Sequence, residues 1–131
     1  MNRSDELARA LMGRARDDQF ALAQLAANPR SPVRVLGFHA QQAVEKAIKA
    51  VLAGRSVDFP YTHDLERLME LVADSRFPIP PDGDALTALT PFGVTLRYEG
   101  ESHPGPERLD PQWAIQVVAR TIAWAESILG K

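Results

Sequence analysis

SPVRVLGFHAQQAVEKAIKAVLAG, residues 31–54, decides the fold. Ser31 stands as a helix cap, Pro32 takes the first helical position, where its missing N–H costs nothing, and Gly54 supplies a terminator. The reading predicts a helix from about Pro32 to Ala53. At about 100° per residue, Leu36, Ala40, Ala43, Val44, Ala47, Ile48 and Val51 cover one broad face, with Gln41, Gln42, Glu45 and Lys49 opposite. Phe38 and Leu52 interrupt that polar side. Two large apolar groups among amides and charges imply that the second side is covered too, by another helix of the chain or by a second subunit.

Toward the N-terminus, Ser4 precedes Asp5 and Glu6, a cap followed by acids in the first turn, and Leu7, Leu11, Ala15, Leu22, Leu25 and Ala26 recur at helical spacing. This first helix is expected to end near Asn28, because Pro29 restricts the residue before it. Toward the C-terminus, Thr62-His63-Asp64 opens a third helix with Leu65, Leu68, Met69 and Val72 as its stripe. Phe77-Pro78-Ile79-Pro80-Pro81-Asp82-Gly83 reads as a stiff connection. A fourth helix is expected over Asp84–Tyr98, kinked or divided at Pro91 and Gly93. After a Gly/Pro-rich loop from Glu99 to Arg108, Asp110-Pro111 opens the last helix. Its apolar strip (Trp113, Val117, Trp124, Ile128), widened by Val118, Ile122, Ala125 and Leu129, predicts a helix central to the bundle. With no strand alternation or hairpin signal, the fold class is an all-α, up-and-down bundle of four to five helices in one domain spanning 1–131.

Composition agrees with a chain that buries a core of its own. Of 131 residues, 45% are hydrophobic and 24% charged, and there is no cysteine, which excludes a disulfide framework, a thiolate metal site and a Cys nucleophile. No run of about 18 apolar residues could span a membrane, and acids follow the N-terminus, so the expected compartment is the cytoplasm. The net charge of −2 gives no general attraction for nucleic acid. It is unevenly spread, however: residues 1–55 carry nine Arg/Lys against five Asp/Glu, and residues 56–131 carry six against twelve.

No Gly-rich phosphate loop, zinc-protease motif, nucleophile elbow or di-iron Glu-x-x-His pair is present, and neither metal nor cofactor is expected. Three histidines remain. His39, at the border of the apolar face of the second helix, reads as a structural histidine. His63 reads as part of the cap of the third helix. His103 follows Arg97 by a spacing with chemical content.

Phe38-His39-Ala40-Gln41-Gln42-Ala43-Val44-Glu45-Lys46-Ala47-Ile48-Lys49-Ala50, then Thr62-His63-Asp64-Leu65, then Leu96-Arg97-Tyr98 resemble, in order and spacing, the HEPN domain family. The resemblance implies a helical bundle, frequently a symmetric homodimer, and many members work as toxin and antitoxin with a minimal nucleotidyltransferase encoded beside them. Glu45 and Lys46 are signature positions, so at least one should make a buried or half-buried polar contact. Active members are metal-independent ribonucleases carrying an Arg, four to six residues and a His; here Arg97 and His103 enclose five. In that chemistry the His moves a proton to or from the ribose 2′-OH or the leaving oxygen, and the Arg stabilises charge on the phosphoryl oxygens. Gly105 stands where the branch paired with nucleotidyltransferases has a modified Tyr.

The first reading is a dimeric binding component partnered with a minimal nucleotidyltransferase, with His103 exposed and Arg97 engaged by a carboxylate or by backbone carbonyls. The alternative is a metal-independent endoribonuclease using Arg97 and His103. A further alternative is a nucleotide- or RNA-binding module with Lys46, Lys49, Arg97 and Tyr98 as contacts.

Overall fold

The computed structural model describes residues 2–97 and 108–130, the side chains of residues 94–97 excepted. The described residues form α1 (Arg3–Ala26), α2 (Val33–Gly54), α3 (Leu65–Asp74), a 3-10 helix (Gly83–Leu89), α4 (Thr90–Arg97) and α5 (Pro111–Leu129), with no strand among them. The all-α bundle expected from the sequence is what forms.

Several boundaries moved for local reasons. Asn2, not Ser4, caps α1, its side-chain oxygen accepting from the Asp5 N–H at 2.8 Å. Pro32, not Ser31, is the residue before α2, and Ser31 instead turns its hydroxyl back to the Leu25 carbonyl near the end of α1. The fourth helix is divided at Thr90. The 3-10 turn before it leaves Pro91 in the first turn of α4, where proline is tolerated. Asp64 and Asp110 cap α3 and α5 through their carboxylates, with Pro111 in the first turn of α5 as the sequence indicates.

Gly54 does not terminate α2 through a left-handed turn. It is the last helical residue, and its missing side chain makes room for Leu129 of α5. The left-handed position falls on Ser56 (φ 58°), and the end of α3 repeats the device at Arg76 (φ 67°). In each case the next residue donates its N–H five residues back, Val57 to the Leu52 carbonyl at 2.8 Å and Phe77 to the Val72 carbonyl at 3.2 Å, and packs its side chain on the core. This is a Schellman closure carried by a residue with a Cβ. Such a residue pays a steric cost of about 1–2 kcal/mol in the left-handed region. Arg76→Gly is therefore expected to stabilise the protein by about 1 kcal/mol in urea denaturation, and a loss of stability would show that the arginine stem contributes more than the strain.

The central helix is α2, not α5. It contacts α1, α3, the 3-10 helix, α4 and α5, because Ala40, Ala43, Ala47, Ala50 and Gly37 let neighbours approach from every side. Gly37 accommodates the ring of Phe92 against the helix backbone. On α5 the buried Val117, Val118, Ile122 and Trp124 face inward, while Gln116, Ala119, Arg120 and Ala123 stay exposed. The Trp124 indole N–H donates to the Pro78 carbonyl at 2.9 Å, and Arg120 holds Asp82 with two hydrogen bonds, which together pin the proline-rich connection to α5.

The chain itself covers Leu52 on the second side of α2, while Phe38 there is half-buried. Leu52 and Gln41 are fully buried, so neither calls for a second subunit. Large apolar groups that do stand exposed are Leu7 and Phe20 on α1, Tyr61 before α3 and Ile79 in the proline-rich connection, scattered over three segments. No helix among the described residues is long and apolar enough to cross a membrane.

Candidate functional site

The polar residues of α2 are where the fold concentrates charge in its interior. A buried carboxylate needs several partners to offset the loss of water. Glu45, 4% exposed, has three hydrogen-bonding partners. Its Oε2 accepts from Lys49 Nζ at 2.9 Å. Its Oε1 accepts from Gln41 Nε2 at 2.9 Å and meets His63 Nδ1 at 2.8 Å. Lys49 also contributes through its charge. The same Gln41 amide nitrogen donates to the His63 carbonyl at 3.1 Å, and its oxygen accepts from Gln42 at 2.7 Å. Every buried side-chain nitrogen and oxygen among the described residues has a partner.

Burial pushes the Glu45 carboxyl up, but hydrogen bonds from Lys49, Gln41 and His63 and the charge of Lys49 outweigh it, so the pKa lies below its ordinary value. Glu45 is therefore ionised and only accepts. It follows that His63 carries its proton on Nδ1 when neutral, and that Nε2 holds the lone pair. That Nε2 has no partner among the described residues. The His63 side chain as a whole is 21% exposed.

Between α1 and α2 the same arrangement is built a second time. Asp18, buried on the inward face of α1, meets His39 Nδ1 through Oδ1 at 2.9 Å and accepts from Lys46 Nζ through Oδ2 at 2.7 Å. Each carboxylate thus holds one imidazole and one ammonium, one on either side of the central helix.

This geometry answers the sequence expectations residue by residue. Both signature residues make polar contacts, Glu45 buried and Lys46 half-buried. His39, read as structural, meets Asp18 through Nδ1. His63 is not part of the α3 cap, a role that Asp64 fills through the Glu66 and Arg67 N–H groups; its ring turns to Glu45 instead. Lys46 and Lys49, candidates for phosphate contact, are each paired with a carboxylate of the chain and are 22% and 12% exposed. Arg97 is the last residue of α4. Its side chain, Tyr98 and His103 lie outside the described residues.

Asp18 and the Glu45–His63 pair were missed in the sequence. The one available signal for Asp18 was its place three residues after Ala15 and four before Leu22, on a stripe otherwise apolar. Among the described residues, no three His, Cys, Asp or Glu side chains are grouped to hold a metal ion.

The helix that carries Arg97 is seated on the same network. Gly93 lies so close to the Gln41 amide that a Cβ there would approach it to 2.6 Å, and the Leu65 N–H reaches Thr90 Oγ1 at 3.3 Å. Arg97 follows Gly93 by one helical turn.

No curated protein and no solved structure matches the chain. The model of the HEPN domain family matches residues 8–128, from the first turns of α1 to the last turn of α5. With that span, and with α2 bearing the motif on which the resemblance rests, the chain belongs to the HEPN domain family.

Proposed function

We propose that this HEPN protein is a cytoplasmic binding component that forms a homodimer and works with a minimal nucleotidyltransferase as one half of a toxin–antitoxin pair. The observation that carries this reading is the HEPN match over residues 8–128. The internal pairing of Lys46 and Lys49 supports it further, because cations already held by Glu45 and Asp18 favour recognition of a protein surface over capture of a free phosphate. The test is co-purification with a minimal nucleotidyltransferase from the same genome, read by sedimentation. A complex containing two copies of this chain is expected. A lone 14.4 kDa species at micromolar concentration, with or without the nucleotidyltransferase, would defeat the reading.

A second reading is a metal-independent endoribonuclease, favoured by the five-residue interval between Arg97 and His103 in a chain of this family. Cleavage of single-stranded RNA that persists in chelator and is lost in folded, dimeric Arg97→Ala and His103→Ala variants would replace the first reading by this one.

A further inference from the structure

A histidine positioned by a carboxylate on one nitrogen and open on the other is a proton acceptor in waiting. His63 has the first feature, and its other nitrogen has no partner among the described residues. Glu45, itself buried and ionised, fixes its Nδ1–H, while no described residue holds Nε2 and the side chain is 21% exposed. Beside it stands Tyr61, 82% exposed, with its ring edge-on to the imidazole at 5.5 Å between centroids. An exposed aromatic ring next to an acceptor nitrogen offers an unpaired base a stacking surface, which single-stranded RNA provides and duplex does not. The network holding His63 also seats the helix that bears Arg97, through Gln41 and Gly93.

We propose that His63 is a general base for RNA cleavage, with Tyr61 stacking a neighbouring base and Glu45 as the positioning residue; this rests on the ribonuclease reading. Nε2 takes the proton of a ribose 2′-hydroxyl. The freed oxygen bonds to the adjacent phosphorus, and the bond from phosphorus to the 5′-oxygen breaks. That oxygen takes a proton from water, and the resulting hydroxide is neutralised by the His63 imidazolium. The products are a 2′,3′-cyclic phosphate and a 5′-hydroxyl, with no oxidant or reductant consumed.

The experiment measures cleavage of a single-stranded oligoribonucleotide by the wild type and by His63→Gln, Tyr61→Ala, Glu45→Gln and His103→Ala. His63→Gln is expected to lower the rate by about 100-fold or more, and Tyr61→Ala to raise KM by about tenfold. Nitrogen NMR of the imidazole adds a readout that loss of stability alone would not move. In the wild type Nε2 should be the unprotonated nitrogen, and Glu45→Gln should mix the two tautomers. Because His63→Gln could unfold the chain, the wild type is also titrated with a 2′-O-methyl RNA that cannot be cleaved, and the His63 ring signals should shift. Cleavage lost in His103→Ala but intact in folded His63→Gln, or His63 signals unmoved by the RNA, would overturn the assignment and leave the ribonuclease reading standing. A wild type that cleaves no RNA would remove both.

Discussion

Replacing Glu45 by alanine is expected to cost about 3–5 kcal/mol of folding stability, the range for removing one member of a buried ion pair. The magnitude follows from what is left behind. Lys49 loses its carboxylate while mostly buried, His63 loses the acceptor for Nδ1–H, and the Gln41 amide nitrogen keeps only the His63 carbonyl. Glu45→Gln retains the volume and one acceptor oxygen, and its cost should be smaller, about 1–3 kcal/mol. Urea denaturation of the three proteins measures both differences.

The same carboxylate makes stability depend on pH with a definite sign. Its folded-state pKa is below the ordinary 4.5, so in acid the unfolded chain takes up this proton before the folded chain does. The contribution of Glu45 is therefore fully present above about pH 4.5 and disappears as pH falls through the folded-state value. The stability gap between wild type and Glu45→Gln should be constant near neutrality and shrink in acid. A gap undiminished in acid would mean that the ionised carboxylate is not what stabilises the network.

Phe92→Ala is the other large effect, expected at about 3–5 kcal/mol. Phe92 is 2% exposed, and its ring rests on the Gly37 backbone, where it anchors α4 to α2. A Cβ added at Gly37 would overlap that ring, so Gly37→Ala alone should cost about 1–3 kcal/mol by overpacking. Combined with Phe92→Ala the sign reverses: the new methyl enters the vacated space, and the double variant should be more stable than Phe92→Ala. The coupling in a double-mutant cycle tests the packing directly. Simple additivity would show that Gly37 and Phe92 do not share the space the structure gives them.

Helices were legible because their signals are local. Asp110-Pro111, Asp64 before Leu65, the proline run from Phe77, and the two-sided pattern of residues 31–54 each act within a few residues, and the bundle follows from burying their apolar faces. The ends of α2 and α3 were less so, because Ser56 and Arg76 adopt a left-handed conformation without glycine to mark it, drawn there by Val57 and Phe77 reaching the core. The site was legible only as a set of residue types. Lys49 meets Glu45 one turn earlier on the same helix, but for His39, His63 and Lys46 the carboxylate each one meets could not be picked out along the chain. Asp18 lies 28 residues from Lys46, and Glu45 lies 18 residues from His63. Whether such groups touch depends on how α1 and the start of α3 register against α2. That register is set by the small residues of α2 and the side chains that fill the space beside them, and so only the tertiary structure decided which histidine each of these carboxylates holds and by which nitrogen.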